Sequence, residues 1–198
     1  MSGGQQPERR TRQISDPQTM RALAHPVRLA LLDLIRREGD ITATRAAEAL
    51  GEGPGNMSWH LQTLAKYGFV EESGEGKGRS RPWRLLSDSN RFTASDNDPV
   101  ASTAGIALAR QVLDRSVEGQ HQWLAASHAY PAEWRDSAFL SDSLAYVTPE
   151  EMRQLSEDIV EIFRRYDDRD ARGERPADAL PVRMTAFGHP LPLTPSGN

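Results

Sequence analysis

Between residues 44 and 86, glycines and one proline cut the chain into elements too short to stand alone. Thr44 opens a short helix, "TRAAEAL", which Gly51 closes. Pro54 begins another, "PGNMSWHLQTLAKY", which Gly68 closes. Upstream, Asp16 caps a helix whose first position is Pro17, and His25-Pro26 restarts a second, "PVRLALLDLIRREG". There Val27, Leu31, Leu34 and Ile35 recur at helical spacing, and Gly39 ends the run. Downstream, two β-type runs, 69–72 and 81–86, flank the glycine-rich loop "SGEGKGRS".

The order is therefore three or four helices, with a tight turn between the last two, and then a hairpin. That is the order of a winged helix-turn-helix. Within residues 55–66, at 100° per residue, Met57, Leu61, Leu64 and Ala65 share one face, which must pack on the preceding helices. Ser58, Trp59, Gln62, Thr63 and Lys66 share the other. That outer face donates and accepts hydrogen bonds, stacks, and carries a cation but no acid. A helix of this kind fits the major groove of B-DNA. The hairpin loop adds Lys77, Arg79 and Arg81, cations suited to a phosphate ridge, where counterion release gives sequence-independent affinity. Trp59 has two readings at this level: an outward stacking residue, or one packed beneath the wing against Trp83. Arg81 also has two, a phosphate contact or a cross-hairpin partner of Glu71 or Glu72. His60, at the edge of the apolar face, reads as a packed, structural histidine.

Composition supports a folded, soluble chain. It has 198 residues, 37% of them apolar, enough for a real core in one or two domains. No stretch approaches the roughly 18 apolar residues of a membrane span. The polar start "MSGGQQPERRTRQ" lacks the apolar core of a secretory signal, so a cytoplasmic protein is expected. With no cysteine, disulfides, thiolate metal sites and cysteine nucleophiles are excluded. Charge divides unevenly: residues 1–91 hold 14 Lys and Arg against 11 Asp and Glu, and residues 92–198 hold 10 against 17. Only the first half has the balance to meet a polyanion.

These features assign 1–14 to a disordered arm, 15–91 to a winged helix-turn-helix domain, and 92–198 to a dimerisation and effector domain. The polar stretch 87–98 reads as a linker. A long helix follows over 99–129, where Ile106, Ala109, Leu113, Val117, Gln120 and Leu124 alternate three and four apart, close to a coiled-coil seam. "SLAYV" and "LPVRMTAF" alternate like strands. Between them Thr148-Pro149-Glu150-Glu151 starts a helix with Met152, Leu155, Ile159, Ile162, Phe163 and Tyr166 on one face. The expected class is mainly α with a small β component (α+β), ending in a strand-helix-strand extension. Trp123, Trp134, Phe139, Tyr146 and Phe163 are candidates for an effector pocket or for core packing.

"MSWHLQTLAKYGFVEES…GKGRSRPWRL" resembles the recognition helix and wing of ArsR-type winged-helix transcriptional regulators. The family's Ser-x-His-Leu-x-x-Leu pattern and the apolar pair after its glycine are met by Ser58, His60, Leu61, Leu64, Gly68, Phe69 and Val70. "ALAHPVRLALLDLI" is similar to its first core helices, with the His-Pro-x-Arg turn at His25, Pro26 and Arg28. The resemblance covers about residues 15–86. It implies a dimeric regulator whose fourth helix enters the major groove, with contacts from Asn56, Ser58, Trp59, Gln62 and Lys66 and a wing of Lys77, Arg79 and Arg81. Thr44 and Arg45, at the start of the supporting helix, would touch phosphates. The cysteines of metal-sensing members are absent. Asp114, Glu118, His121 and His128 on the long helix form no compact ligand pair, so neither a metal nor a cofactor is expected.

The function this implies is a repressor acting as a homodimer on an inverted-repeat operator in double-stranded DNA, with a small-molecule effector releasing it. Two alternatives stand beside it: a winged helix used for protein contacts, and an enzyme with a fused nucleic-acid module. The second has no support in motifs, because the chain lacks a Gly-x-Ser-x-Gly elbow, a phosphate loop and an HExxH pair; no enzymatic activity is expected.

Overall fold

The computed structural model describes residues 12–74, 81–87, 90–92, 98–167, 169 and 174–191. Its elements run β1 (Arg12–Ile14), α1 (Pro17–Leu23), α2 (Pro26–Glu38), α3 (Ala43–Leu50), α4 (Pro54–Lys66), β2 (Val70–Glu72), β3 (Trp83–Leu85), β4 (Asn90–Phe92), α5 (Pro99–Ala126), α6 (Ala132–Ser137) and α7 (Pro149–Asp167). They fall into two compact units, Met1–Ala129 and Tyr130–Asn198.

Local chemistry starts and stops the helices. The Asp16 carboxylate accepts from the Thr19 amide at 2.7 Å and caps α1. His25 Nδ1 accepts from the Val27 amide at 3.2 Å and caps α2. The cap of α3 is Thr42, two residues earlier than the expected start at Thr44: its hydroxyl accepts from the Arg45 amide. At the far end Gly51 turns left-handed (φ +67°), and the amides of Gly51 and Glu52 both return to Ala47 O. This releases the chain into α4 after only three residues. Met57, Leu61 and Leu64 of α4 then meet Leu31, Leu34 and Ile35 of α2 in one core. Each such side chain contributes about 1.5–3 kcal/mol by leaving water, as an upper bound.

The hairpin is antiparallel, pairing Val70 with Leu85, Glu71 with Arg84 and Glu72 with Trp83. A further bridge joins Ile41 to Trp83 and extends the small sheet back to the turn before α3. The strands are shorter than the expected runs, and residues 75–80 lie outside the described residues.

The architecture departs from what the sequence predicts in three places. Arg12–Ile14 is not part of an arm: it pairs in parallel with Asn90–Phe92, inside the expected linker, and Ile14 is buried. The long helix packs along α1 and joins the core of the first unit through Ala104 and Leu108. Small residues at 101 and 104 let the two helices approach closely, and an Arg115–Asp33 ion pair ties α5 to α2. Finally, residues 143–147 and 180–187 form no strands. Both are exposed and without regular structure, because alternation supplies a strand face but not the neighbouring backbone that a ladder requires.

The second unit does hold α7, whose start is a complete capping box. The Thr148 amide donates to Glu151 Oε2 at 2.7 Å, and the Glu151 amide donates to Thr148 Oγ1 at 3.2 Å. Thr148→Ala is expected to weaken α7 by about 0.5–2 kcal/mol, seen as faster hydrogen exchange in its first turn. Unchanged exchange there would mean that packing, not the cap, sets the helix start.

Candidate nucleic-acid interface

α4 carries the candidate surface. Met57, His60, Leu61 and Leu64 are buried on one side, while Asn56, Trp59, Gln62 and Lys66 are exposed and Ser58 and Thr63 half-buried. The helix contains no acidic residue. At its end Gly68 is left-handed (φ +71°) and the Phe69 amide returns to Leu64 O at 2.9 Å, which directs the chain into β2.

Trp59 is fixed by what lies behind it. Its ring meets His60 edge-on at 4.8 Å, and His60, only 3% exposed, rests against His25 at 4.7 Å. The Arg28 guanidinium sits 5.9 Å from the Trp59 ring. Trp83 is buried under the wing, whereas Trp59 is 56% exposed, so Trp59 is the outward residue of the two readings.

The other candidates differ in how free they are. Gln62 and Lys66 project from exposed positions, with Lys66 Nζ 5.6 Å from the Tyr67 ring. Asn56 donates to Glu52 at 3.1 Å, and Thr63 returns its hydroxyl to Trp59 O at 2.9 Å. Thr44 is exposed in the first turn of α3. Arg45 is held by Glu38 in a bidentate pair (2.8 and 2.9 Å), with Glu48 3.8 Å away; its hydrogen bond holds the Glu38 carboxyl below its ordinary pKa. Arg81 pairs with Glu72 at 2.6 Å, and Arg84 with Glu71 at 2.8 Å. Lys77 and Arg79 lie outside the described residues.

Two arginines that the sequence reading did not place at the surface shape it from behind. Arg28 comes from the His-Pro-x-Arg turn and backs Trp59. Arg12 gave no sequence signal: its Nη1 donates to Tyr67 O and Gly68 O, both at 2.7 Å, and its guanidinium lies 4.8 Å from the Phe69 ring. A cation there satisfies terminal carbonyls and complements the C-terminal end of the helix dipole. β1 thus straps the end of α4.

The histidine pair is expected to make the domain acid-sensitive. Burial is the largest cause lowering the pKa of both; His60 is lowered further by His25 and Arg28, His25 further by Arg28, and Glu52 opposes both shifts. A lowered native pKa means that the unfolded chain takes up protons first. Stability is complete above the unfolded value of about 6.5 and falls as the pH drops below it toward the native values. We expect the urea midpoint to fall between pH 7 and pH 5, and His60→Gln to flatten that slope. An equal slope in the variant would place the sensitivity elsewhere.

In the second unit Phe139 is 87% exposed and Tyr146 fully so, whereas Trp134 and Phe163 are half-buried; Trp123 is half-buried on α5 in the first unit. Asp114, Glu118, His121 and His128 do not converge, and among the described residues no three His, Asp or Glu gather to hold a metal ion.

A helix-turn-helix family model matches residues 23–73, which span α2, α3, the glycine turn, α4 and β2. This segment is a helix-turn-helix domain. With the β2–β3 hairpin it is a winged one, ArsR-like in the motifs it carries. Among solved structures, the domain is similar to the homodimeric winged helix-turn-helix DNA-binding domain of Mb0332 from Mycobacterium bovis, a possible ArsR-family transcriptional regulator. That match has 27% identity, covers 52% of this chain and 78% of that one, and gives a TM-score of 0.31. Rv0081 of Mycobacterium tuberculosis matches at 23% identity over 52% of this chain and 89% of its own, with a TM-score of 0.33. An apo mutant of ZitR from Lactococcus lactis matches at 16% identity over 72% and 83%, also at 0.33. No curated protein matches the chain. No helix among the described residues is long and apolar enough to cross a membrane.

Proposed function

We propose that this chain is a transcriptional regulator, a repressor that binds an inverted-repeat operator as a homodimer. The observation that carries the reading is the outer face of α4 in its helix-turn-helix setting: an acid-free face with an amide, a cation and a braced aromatic. Gln62 and Lys66 are the side chains free to meet base edges and phosphates in the major groove, with Trp59 beside them. Arg45 and Arg81 serve DNA less directly, since each would first have to leave a carboxylate. Lys77 and Arg79 of the wing loop are the phosphate anchors.

Dimerisation belongs to α5, which has two apolar faces. Ala101, Ala104 and Leu108 are buried in the first unit, while Ile106, Val117 and Leu124 of the three-four stripe remain exposed. That second stripe suits a twofold partner. Any effector response is assigned to the C-terminal unit, and a compound that both shifts its melting and releases the operator would identify it.

Selection of bound sequences from random duplex DNA tests the proposal: an inverted repeat should emerge, bound by two chains. Lys77→Ala and Arg79→Ala should each weaken binding nearly equally on all sequences and lower the salt slope by about one unit. Arg81→Ala should change that slope less. Failure to bind any DNA while the chain still dimerises would favour the protein-contact use of the fold.

A further inference from the structure

Three ion pairs stand on the elements that flank α4 in the chain, and each occupies an arginine. On α3, Arg45 donates through Nε and Nη2 to the two carboxylate oxygens of Glu38, at 2.8 and 2.9 Å. On the hairpin, Arg84 turns Nε and Nη2 to Glu71 Oε1, both at 2.8 Å, and Arg81 Nη1 meets Glu72 Oε2 at 2.6 Å. These are all the described arginines of α3 and the hairpin. Glu71 and Arg84 lie directly opposite in the ladder, so backbone register sets that pair. The Nε–Nη2 edge of a guanidinium is the fork that grips a carboxylate or a phosphate bidentately, and in Arg45 and Arg84 it is already filled.

Folding stability does not account for the arrangement. The six side chains are between 34% and 64% exposed, and ion pairs so exposed add little to stability. What the carboxylates change is the field that a polyanion meets. An arginine neutralised by a carboxylate gives no counterion release when a phosphate approaches. Breaking the pair would leave a carboxylate beside that phosphate, charge against like charge. α4, by contrast, carries Lys66 and no acid.

We infer that Glu38, Glu71 and Glu72 are specificity-determining residues, which keep Arg45, Arg81 and Arg84 off random DNA and yield them to phosphate only once α4 is seated in its operator. This rests on the regulator reading above and deepens it. Random DNA is held loosely and slides, so it meets the cations of α4 and the wing loop and leaves the pairs intact. An operator held by base contacts keeps its phosphates beside the same arginines at high effective concentration, which favours exchange of one anion for the other.

Titrations of the full chain carrying Glu38→Gln or Glu72→Gln, on a random-sequence duplex and on the selected operator at several salt concentrations, test the inference. Each variant should bind the random duplex at least about three-fold tighter near about 0.1 M salt, with a salt slope steeper by about one unit. On the operator the gain should stay below about two-fold, so that discrimination falls. The control is Glu161→Gln, which removes the same charge from an arginine-paired carboxylate of the C-terminal unit and should change neither affinity. Glu38→Gln combined with Arg45→Gln should return the random duplex to the parent affinity. Unchanged binding in both single variants would overturn the inference, as would an equal gain on the two duplexes. An equal gain with Glu161→Gln would reduce the effect to net charge and overturn it too. So would a double variant as tight as Glu38→Gln, because Arg45 would then not be the group released. The two readings fail separately. A chain that selects an operator but ignores these substitutions loses only the role of the carboxylates. A chain that binds neither duplex loses the regulator.

Discussion

A Phe69→Ala chain should unfold with about 3–5 kcal/mol less free energy than the parent, the cost of removing a buried aromatic and leaving its cavity. Phe69 is 1% exposed at the junction where α4 hands over to the wing. Its amide closes the helix onto Leu64 O, its carbonyl accepts from the Leu86 amide, and its ring lies under Arg12. Truncation therefore removes packing and loosens the strap that β1 places on the end of α4. Domains of this size have only about 5–15 kcal/mol to lose, so the change should be plain in a urea titration. Trp59→Ala is the control, an exposed aromatic on the same helix. If it costs as much as Phe69→Ala, the junction does not hold the fold.

Gln62→Ala should cost about 1–3 kcal/mol on the operator, roughly 5- to 150-fold in affinity, with little loss on random DNA. α4 carries two primary amides, and they are not equivalent. Asn56 is engaged by Glu52, whereas Gln62 is exposed nearly two turns further on, between Trp59 and Lys66. The side chain that can present both a donor and an acceptor to one base without breaking a bond is Gln62. Lys66→Ala should instead lower affinity on operator and random DNA together. Titrations of both variants on operator and scrambled duplexes separate these effects; uniform loss with Gln62→Ala would make it a backbone contact.

What could be read from the sequence is what nearest neighbours along the chain decide. Asp16 and the Thr148–Glu151 box act over three residues, and Gly51 and Gly68 answer a demand of their own backbone, so helix ends were legible. The inner face of α4 was legible because Met57, Leu61 and Leu64 repeat at the period of the helix, and His60 was placed correctly at its edge. Helix order then led to the winged domain. Tertiary structure alone decided which partner each surface met. β1 pairs with β4 across the whole first domain, and nothing near Arg12 announces that its guanidinium closes α4. Arg45 reads as a phosphate ligand until the turn between α2 and α3 brings Glu38 against it. The stripe on α5 was visible, but that alanines 101 and 104 face α1 and leave the stripe outside depends on how closely two helices can approach. Residues 143–147 and 180–187 have the alternation of strands and are not strands, because a ladder is a property of two backbones and the sequence of one segment specifies only half of it.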